Sequence, residues 1–205
     1  MESGESIQRA IDAIRAGEPV LLATDTVYGL VTSAQRDDYA TRLYRLKGRD
    51  EGQPTALLAS SIDALLECVP ELTGRAGVIV RELLPGPYTL ILPNPARRYR
   101  WLAGPRPDAI GVRVAVLPAP SARVLEAVGS VAATSANDPG GPSPAALEDV
   151  PKRLRDACAA EIDAGRLPGT PSTVIDFTGD DPSVIRDGAA PAAAAIERVR
   201  RALAA

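Results

Sequence analysis

The 205-residue chain contains no histidine. That single absence removes Ser-His-Asp and Cys-His catalysis, histidine-ligated metals and the commonest general base. Its two cysteines, Cys68 and Cys158, stand far apart and form no C-x-x-C pair. They read as small buried apolar residues, not as a disulfide or zinc framework. Aromatics are only 3% of the residues, so a core has to be assembled from Val, Ile, Leu and Ala. No apolar run approaches the roughly 20 residues that span a bilayer. The opening MESGESIQRAIDAIRAGEP carries acidic residues where a signal peptide needs an apolar stretch. The expected address is cytoplasmic, with no membrane partner.

Excess charge of either sign is also lacking, with 23 basic against 26 acidic residues and a net charge of −3. The sequence pI of about 5.1 lies far below the roughly 9 or more of a dedicated nucleic-acid binder. It leaves a phosphate pocket open, because net charge does not report how charges are distributed. Without histidine, catalysis falls to positioning, charge stabilisation, carboxylates, lysine and the substrate's own groups. Phosphate chemistry suits that toolkit.

What is present fits one domain, since 45% of the residues are hydrophobic and the length can bury a sizeable core. Ile7, Ala10, Ile11 and Ile14 recur at helical spacing ahead of a stop at Gly17. Val20–Ala23 reads as a short buried strand. A helix is predicted over Asp37–Lys47 with Gly48 as its stop. Thr55–Ala59 reads as a strand, followed by a helix entered at Ser60 or Ser61 and another over Thr73–Leu84. Further strands are expected over Tyr88–Leu92, Ile110–Val114, Val131–Ala133, Thr173–Phe177 and Ser183–Arg186. A helix is expected over Ser121–Val128, and a terminal, loosely packed one over Ala192–Ala204. Interleaved helices and short apolar strands predict an α/β domain with helices covering a sheet. The expected division is a catalytic domain over 1–190 and a helical tail over 191–205.

Several polar strings could carry chemistry. Thr24-Asp25-Thr26-Val27-Tyr28-Gly29-Leu30 follows a buried strand, where open α/β domains often bind ligands. Alone, it reads first as an Asx- or Ser/Thr-type turn. Lys47-Gly48-Arg49 can reach a triphosphate. Alone, solvated cations complementing a helix dipole are the simpler account. Ala133-Thr134-Ser135-Ala136-Asn137 enters a glycine-rich loop ending at Ser143, which is as consistent with phosphate binding as with an ordinary turn. Neither G-x-x-x-x-G-K-[ST] nor G-x-G-x-x-G is present. Arg113 and Arg186 each fall within or at the end of an apolar strand, so each needs a cleft or an ion pair. Ser172-Thr173 opens a strand in the same way.

The order of these strings is far more specific than any one of them. TDTVYGL, LYRLKGR, LLPGPYTLIL, IGVRV, ATSAN followed by GGPSP, then PSTVIDF and VIRDG resembles the YrdC-like family of threonylcarbamoyl-AMP synthases. The likeness runs from about Ile7 to Gly188. It implies a single α/β domain, a twisted mixed sheet covered by helices and enclosing a concave basic cleft. It also implies conversion of L-threonine, bicarbonate and ATP with Mg²⁺ to threonylcarbamoyl-AMP and pyrophosphate, for modification of tRNA at position 37. By position, Thr26, Arg113 and Ser172 fall on threonine sites. Arg49, Ser135, Ser143 and Arg186 fall on nucleotide sites, with Lys47 and Asn137 in the same motifs and Gln53 where the family carries an Asn. Lys47 and Arg49 are the expected catalytic pair. The final transfer to tRNA falls to separate transferase proteins.

Ala23 and Asp50 replace prolines common in the family, Ala133 stands where a hydroxyl residue can occur, and some relatives carry a histidine near Leu58. The form expected from the resemblance is the short one, without the extra C-terminal domain of longer members. Two other readings compete. One is a non-catalytic RNA-binding module using the same concave surface, against which the acidic pI and the shortage of stacking aromatics count. The other is a carbamoyl-adenylate-forming relative of the hydrogenase-maturation type, which usually comes with zinc-finger modules.

Overall fold

The computed structural model describes residues 4–48 and 53–204. The apolar spacing at the N-terminus produces α1 (Gly4–Arg15), with Ile7, Ala10, Ile11 and Ile14 on its buried side. The chain reverses at Gly17, where φ is 75° and an added Cβ would fall 2.3 Å from the Tyr39 ring. β1 (Val20–Ala23) follows and is buried throughout. Next comes β2 (Tyr28–Ser33), a strand that the sequence reading lacked. Its residues alternate in no simple way, because all six are buried while Gly29, Thr32 and Ser33 dilute the apolar run. It pairs antiparallel with β1.

α2 (Asp37–Lys47) has Asp37 and Asp38 in its first turn and Arg45 and Lys47 in its last, matching the helix dipole. Gly48 ends it at φ 64°, donating its N–H to the Arg45 and Tyr44 carbonyls. β3 (Ala56–Ala59) leads to α3 (Ile62–Cys68), whose N-cap Ser61 accepts from the Ala64 N–H at 3.0 Å. α4 (Gly74–Leu83), β4 (Tyr88–Pro93) and β5 (Ala109–Val114) come next.

α5 (Ala119–Val128) begins two residues before the expected Ser121, because Pro120 is well placed in a first helical turn. β6 (Ser130–Ser135) outlasts the expected strand, so Thr134 and Ser135 are still paired with Leu30 and Gly29. α6 (Lys152–Asp156), β7 (Ala160–Ile162), β8 (Thr173–Asp176), β9 (Ser183–Arg186) and α7 (Ala192–Ala204) complete the order. The chain's last helix is not loose. Its Ala192, Ala195 and Val199 are buried in the same core as α4, and Arg198 pairs with Glu82 there. Both cysteines are half-buried, not buried, and neither is in a disulfide.

Nine strands make one mixed sheet in the order β7-β1-β2-β6-β3-β5-β4-β8-β9. The β7/β1, β3/β5 and β4/β8 pairs are parallel and the others antiparallel. On one face, Leu21, Leu30, Leu57, Leu90 and Val112 pack under α2, α3, α4 and α7. On the other, α1 and α5 cover Val20, Leu22, Val31, Leu58 and Val131. Among the described residues that second cluster draws nothing from β4, β5 or β8. Half of this face therefore lacks a helical cover among the described residues, and Thr89, Ile91 and Arg113, which alternate outward there beside Gly111, line a cavity. No helix among the described residues is long and apolar enough to cross a membrane.

Candidate active site

The uncovered half-face is a cavity of about 540 Å³. At the β1–β2 end, the Thr24 hydroxyl organises a tight turn. It donates to the Val27 carbonyl at 2.6 Å and accepts from the Thr26 and Val27 N–H groups, both at 3.2 Å. The turn reading of this string is thus correct, and the turn also serves the cavity. Its Asp25 and Thr26 take Nη2 of Arg113, which reaches across from β5. Nη2 donates to Asp25 Oδ1 and, at 2.8 Å, to Thr26 Oγ1. The paired side chains are only 11% and 12% exposed. Burial pushes the Asp25 carboxyl above its ordinary value despite Arg113, and pulls the Arg113 guanidinium down despite Asp25. The Nε of Arg113 is buried, with no hydrogen-bond partner among the described residues.

Lys47, the last residue of α2, is 3% exposed, so it is not the solvated cation of the simpler sequence reading. Its Nζ donates to the Ser135 carbonyl and, at 2.6 Å, to Asn137 Oδ1. Asn137 Oδ1 also accepts from the Ser135 hydroxyl at 2.6 Å, and its Nδ2 donates to the Gly141 carbonyl at 2.6 Å. One ammonium thereby ties α2 to the end of β6 and to the glycine-rich loop.

A third cluster lies where β8 begins. Thr89 Oγ1 and Ser172 Oγ are 2.8 Å apart, and Arg186 Nε and Nη2 donate to the Ser172 carbonyl at 3.0 and 2.8 Å. Gly188 presses against this segment. A Cβ on it would lie 2.2 Å from the Pro171 carbonyl oxygen and 2.6 Å from that of Ser172.

Of the predicted residues, Lys47, Gln53, Arg113, Ser135, Asn137, Ser172 and Arg186 line this one cavity. Thr26, 1% exposed, sits behind Arg113, and Ser143 is half-buried in the loop away from the lining. Arg49 lies outside the described residues, as does Asp50. Leu58 and Ala133 are in the lining. Two contributors were missed. Thr89 could have been found from the outward parity of β4. Arg106 could not, because only the fold brings it to Asp176, at 2.6 Å, and to Thr178, at 2.7 Å. Its guanidinium stands at the rim with Lys47, Arg113 and Arg186 in the same lining, against one carboxylate among the described residues, Asp138. Four cations over a cavity of this size can hold a polyanion and a carboxylate.

The chain matches the family model described as Telomere recombination (Sua5/YciO/YrdC) over residues 12–188. It is 31% identical over 182 residues to a protein of Halorhodospira halophila named threonylcarbamoyl-AMP synthase, covering 89% of this chain and 90% of that one. A crystal structure of Sua5 from P. abyssi in complex with L-threonine superposes with a TM-score of 0.83 at 32% identity. The match covers 94% of this chain but only 56% of that one, so the chain spans little more than half of that relative. E. coli YciO superposes with a TM-score of 0.81 at 26% identity over 93% of each chain.

Proposed function

The chain belongs to the Sua5/YciO/YrdC family, and from that premise we propose that it is an L-threonylcarbamoyladenylate synthase. The observation that carries the reading is the convergence of seven polar side chains, predicted from separate stretches of sequence, on one cavity. The names of its relatives give the substrate class. In the proposed reaction, the amine of L-threonine and bicarbonate form a carbamate and release water. A carbamate oxygen then attacks the α-phosphorus of ATP, and pyrophosphate leaves.

The division of labour follows from the chemistry of each cluster. Arg113, whose side chain lines the cavity, receives the carboxylate of threonine. Thr26 steadies it from behind, and Ser172 with Thr89 offers hydroxyls to the substrate's own hydroxyl. Lys47, Ser135, Asn137, Gln53 and Arg186 take the nucleotide, together with Arg49 and Ser143. Lys47 and Arg49 offset charge developing at the phosphates, the kind of preorganised stabilisation that needs no proton transfer. Holding both substrates in one cavity makes the attack effectively intramolecular, which suits a chain without histidine. ATP enters as its Mg²⁺ complex, the ion drawing on phosphate oxygens and water. Among the described residues no group of three or more acidic or cysteine side chains forms a metal cage, and no step is assigned to a protein-held metal. We place the enzyme in the cytoplasm, with transfer to tRNA left to separate proteins.

Pyrophosphate release from ATP and bicarbonate, measured with threonine, serine, valine or no amino acid, tests the reading. Threonine-dependent release that Arg113→Ala abolishes is expected. Valine should fail by a factor on the order of 10⁴, because it leaves buried hydroxyl partners unpaired, and serine, short of one methyl, by roughly 10–200-fold. Release that ignores the amino acid would sink the proposal.

A further inference from the structure

Among the described residues, the buried side-chain atoms left without a hydrogen-bond partner include one on a charged group, the Nε of Arg113. A guanidinium withdrawn from water needs a counter-charge close by, or it turns back toward solvent. Asp25 supplies that charge, and it does so at one corner only. Its Oδ1 and the Thr26 hydroxyl both accept from Nη2, which leaves the Nε–H of the planar fork unclaimed. Arg113 is in the cavity lining whereas Asp25 is not. A ligand therefore meets the guanidinium with the carboxylate behind it.

The turn that carries Asp25 is itself stiff. Thr24 Oγ1 bonds the Thr26 and Val27 N–H groups and the Val27 carbonyl, and Thr26 Oγ1 lies 3.1 Å from Thr24 Oγ1. Because guanidinium is flat and its donors are fixed relative to one another, gripping one corner sets the plane and the direction of the rest. We propose that Asp25 is a positioning residue for amino-acid recognition. It holds the Arg113 fork at the angle at which the cavity-facing part of the guanidinium meets the α-carboxylate of the substrate. This rests on the reading of Arg113 as the carboxylate receptor.

A pair that only stabilised the fold would behave differently. It would shift melting and leave the kinetic constants alone, or disturb both substrates together. The full chain is therefore compared with Asp25→Asn, which is isosteric and uncharged, and Asp25→Glu, which keeps the charge but lengthens the arm. Pyrophosphate release is measured against threonine at saturating ATP and against ATP at saturating threonine. Threonine is also titrated calorimetrically in the absence of ATP.

Asp25→Asn should raise the threonine KM and Kd at least about tenfold while the ATP KM and kcat stay within about threefold, the signature of lost ground-state binding. Asp25→Glu should fall between the two, with a several-fold loss for threonine alone. An Asn variant whose threonine Kd is within twofold of wild type, or whose two KM values rise together, overturns the proposal. If Asp25→Asn does not fold, as seen in its melting curve, Asp25→Glu decides in the same way: a selective threonine defect supports the role and an unchanged Kd ends it. Wild-type protein that binds threonine but releases no pyrophosphate counts against the synthase reading alone, and the titration still decides the role of Asp25. Wild-type protein that takes up no threonine overturns both.

Discussion

Replacing Lys47 with methionine removes the ammonium and keeps most of the apolar stem, so it isolates what that charge does. In the folded protein the ammonium is buried and bonds the Ser135 carbonyl and Asn137 Oδ1. Each such bond to a charged donor is worth about 1.5–3 kcal/mol. The wild-type protein offsets part of that against the cost of desolvating the ammonium. A net loss of about 2 kcal/mol follows, or a fall in Tm of about 4–8 °C for a domain of this size. The effect on turnover should be larger than stability alone explains. If the ammonium also faces the phosphates in the transition state, its removal costs about 2.7–4 kcal/mol of barrier, a drop of 10²–10³ in kcat. Steady-state pyrophosphate release at a temperature well below the melting point of the variant separates the two effects. Calorimetric titration of threonine should show little change, because Arg113 and Ser172 do not depend on Lys47. A Lys47→Met variant that melts lower but turns over within threefold of wild type would refute the reasoning, leaving Lys47 as a strut between α2 and the glycine-rich loop.

Two further outcomes follow from single contacts. Gly188→Ala would drive a Cβ to 2.2 Å from the Pro171 carbonyl, a backbone collision that a rotamer change cannot relieve. It should cost about 1–3 kcal/mol and raise the threonine KM by displacing Ser172, as a melting curve and a threonine titration would show; unchanged values in both would contradict the close approach. For Asp176, burial raises the carboxyl, but the Thr178 hydroxyl and amide and the Arg106 guanidinium outweigh it, so its pKa lies below the ordinary value of 3.8. Such a group stabilises the fold above its unfolded pKa and loses that contribution as pH falls through the folded one. Asp176→Asn should therefore be less stable than wild type near neutrality, by about 1 kcal/mol after solvent screening of its half-exposed partner Arg106, and the two melting curves should converge as the pH falls through the lowered folded-state pKa. A gap that persists or widens there would exclude the linkage.

Local information was enough for α1, α2, α4 and most strands. Their spacing of apolar residues is a property of a dozen neighbouring positions, and the glycine after Lys47 terminates α2 wherever that helix lies in space. It was not enough for β2 or β7. Their pairing partners, rather than their own alternation, keep them extended, and β2 is buried on both faces. The ordered motifs identified the family and most residues of the cavity. They could not say which nitrogen of Arg113 is occupied, that Thr26 stands behind it, or that Lys47 is buried. The contacts that decide those points join residues far apart in the chain, 88 positions for Arg113 with Asp25, 88 for Lys47 with Ser135 and 70 for Arg106 with Asp176. Sequence determined the elements and the chemistry they carry, because both depend on residue type and near neighbours. Tertiary structure decided which charges meet, because only the fold carries Arg113 of β5 across the sheet to the turn between β1 and β2 and leaves the β4, β5 and β8 half of that face without a helix among the described residues.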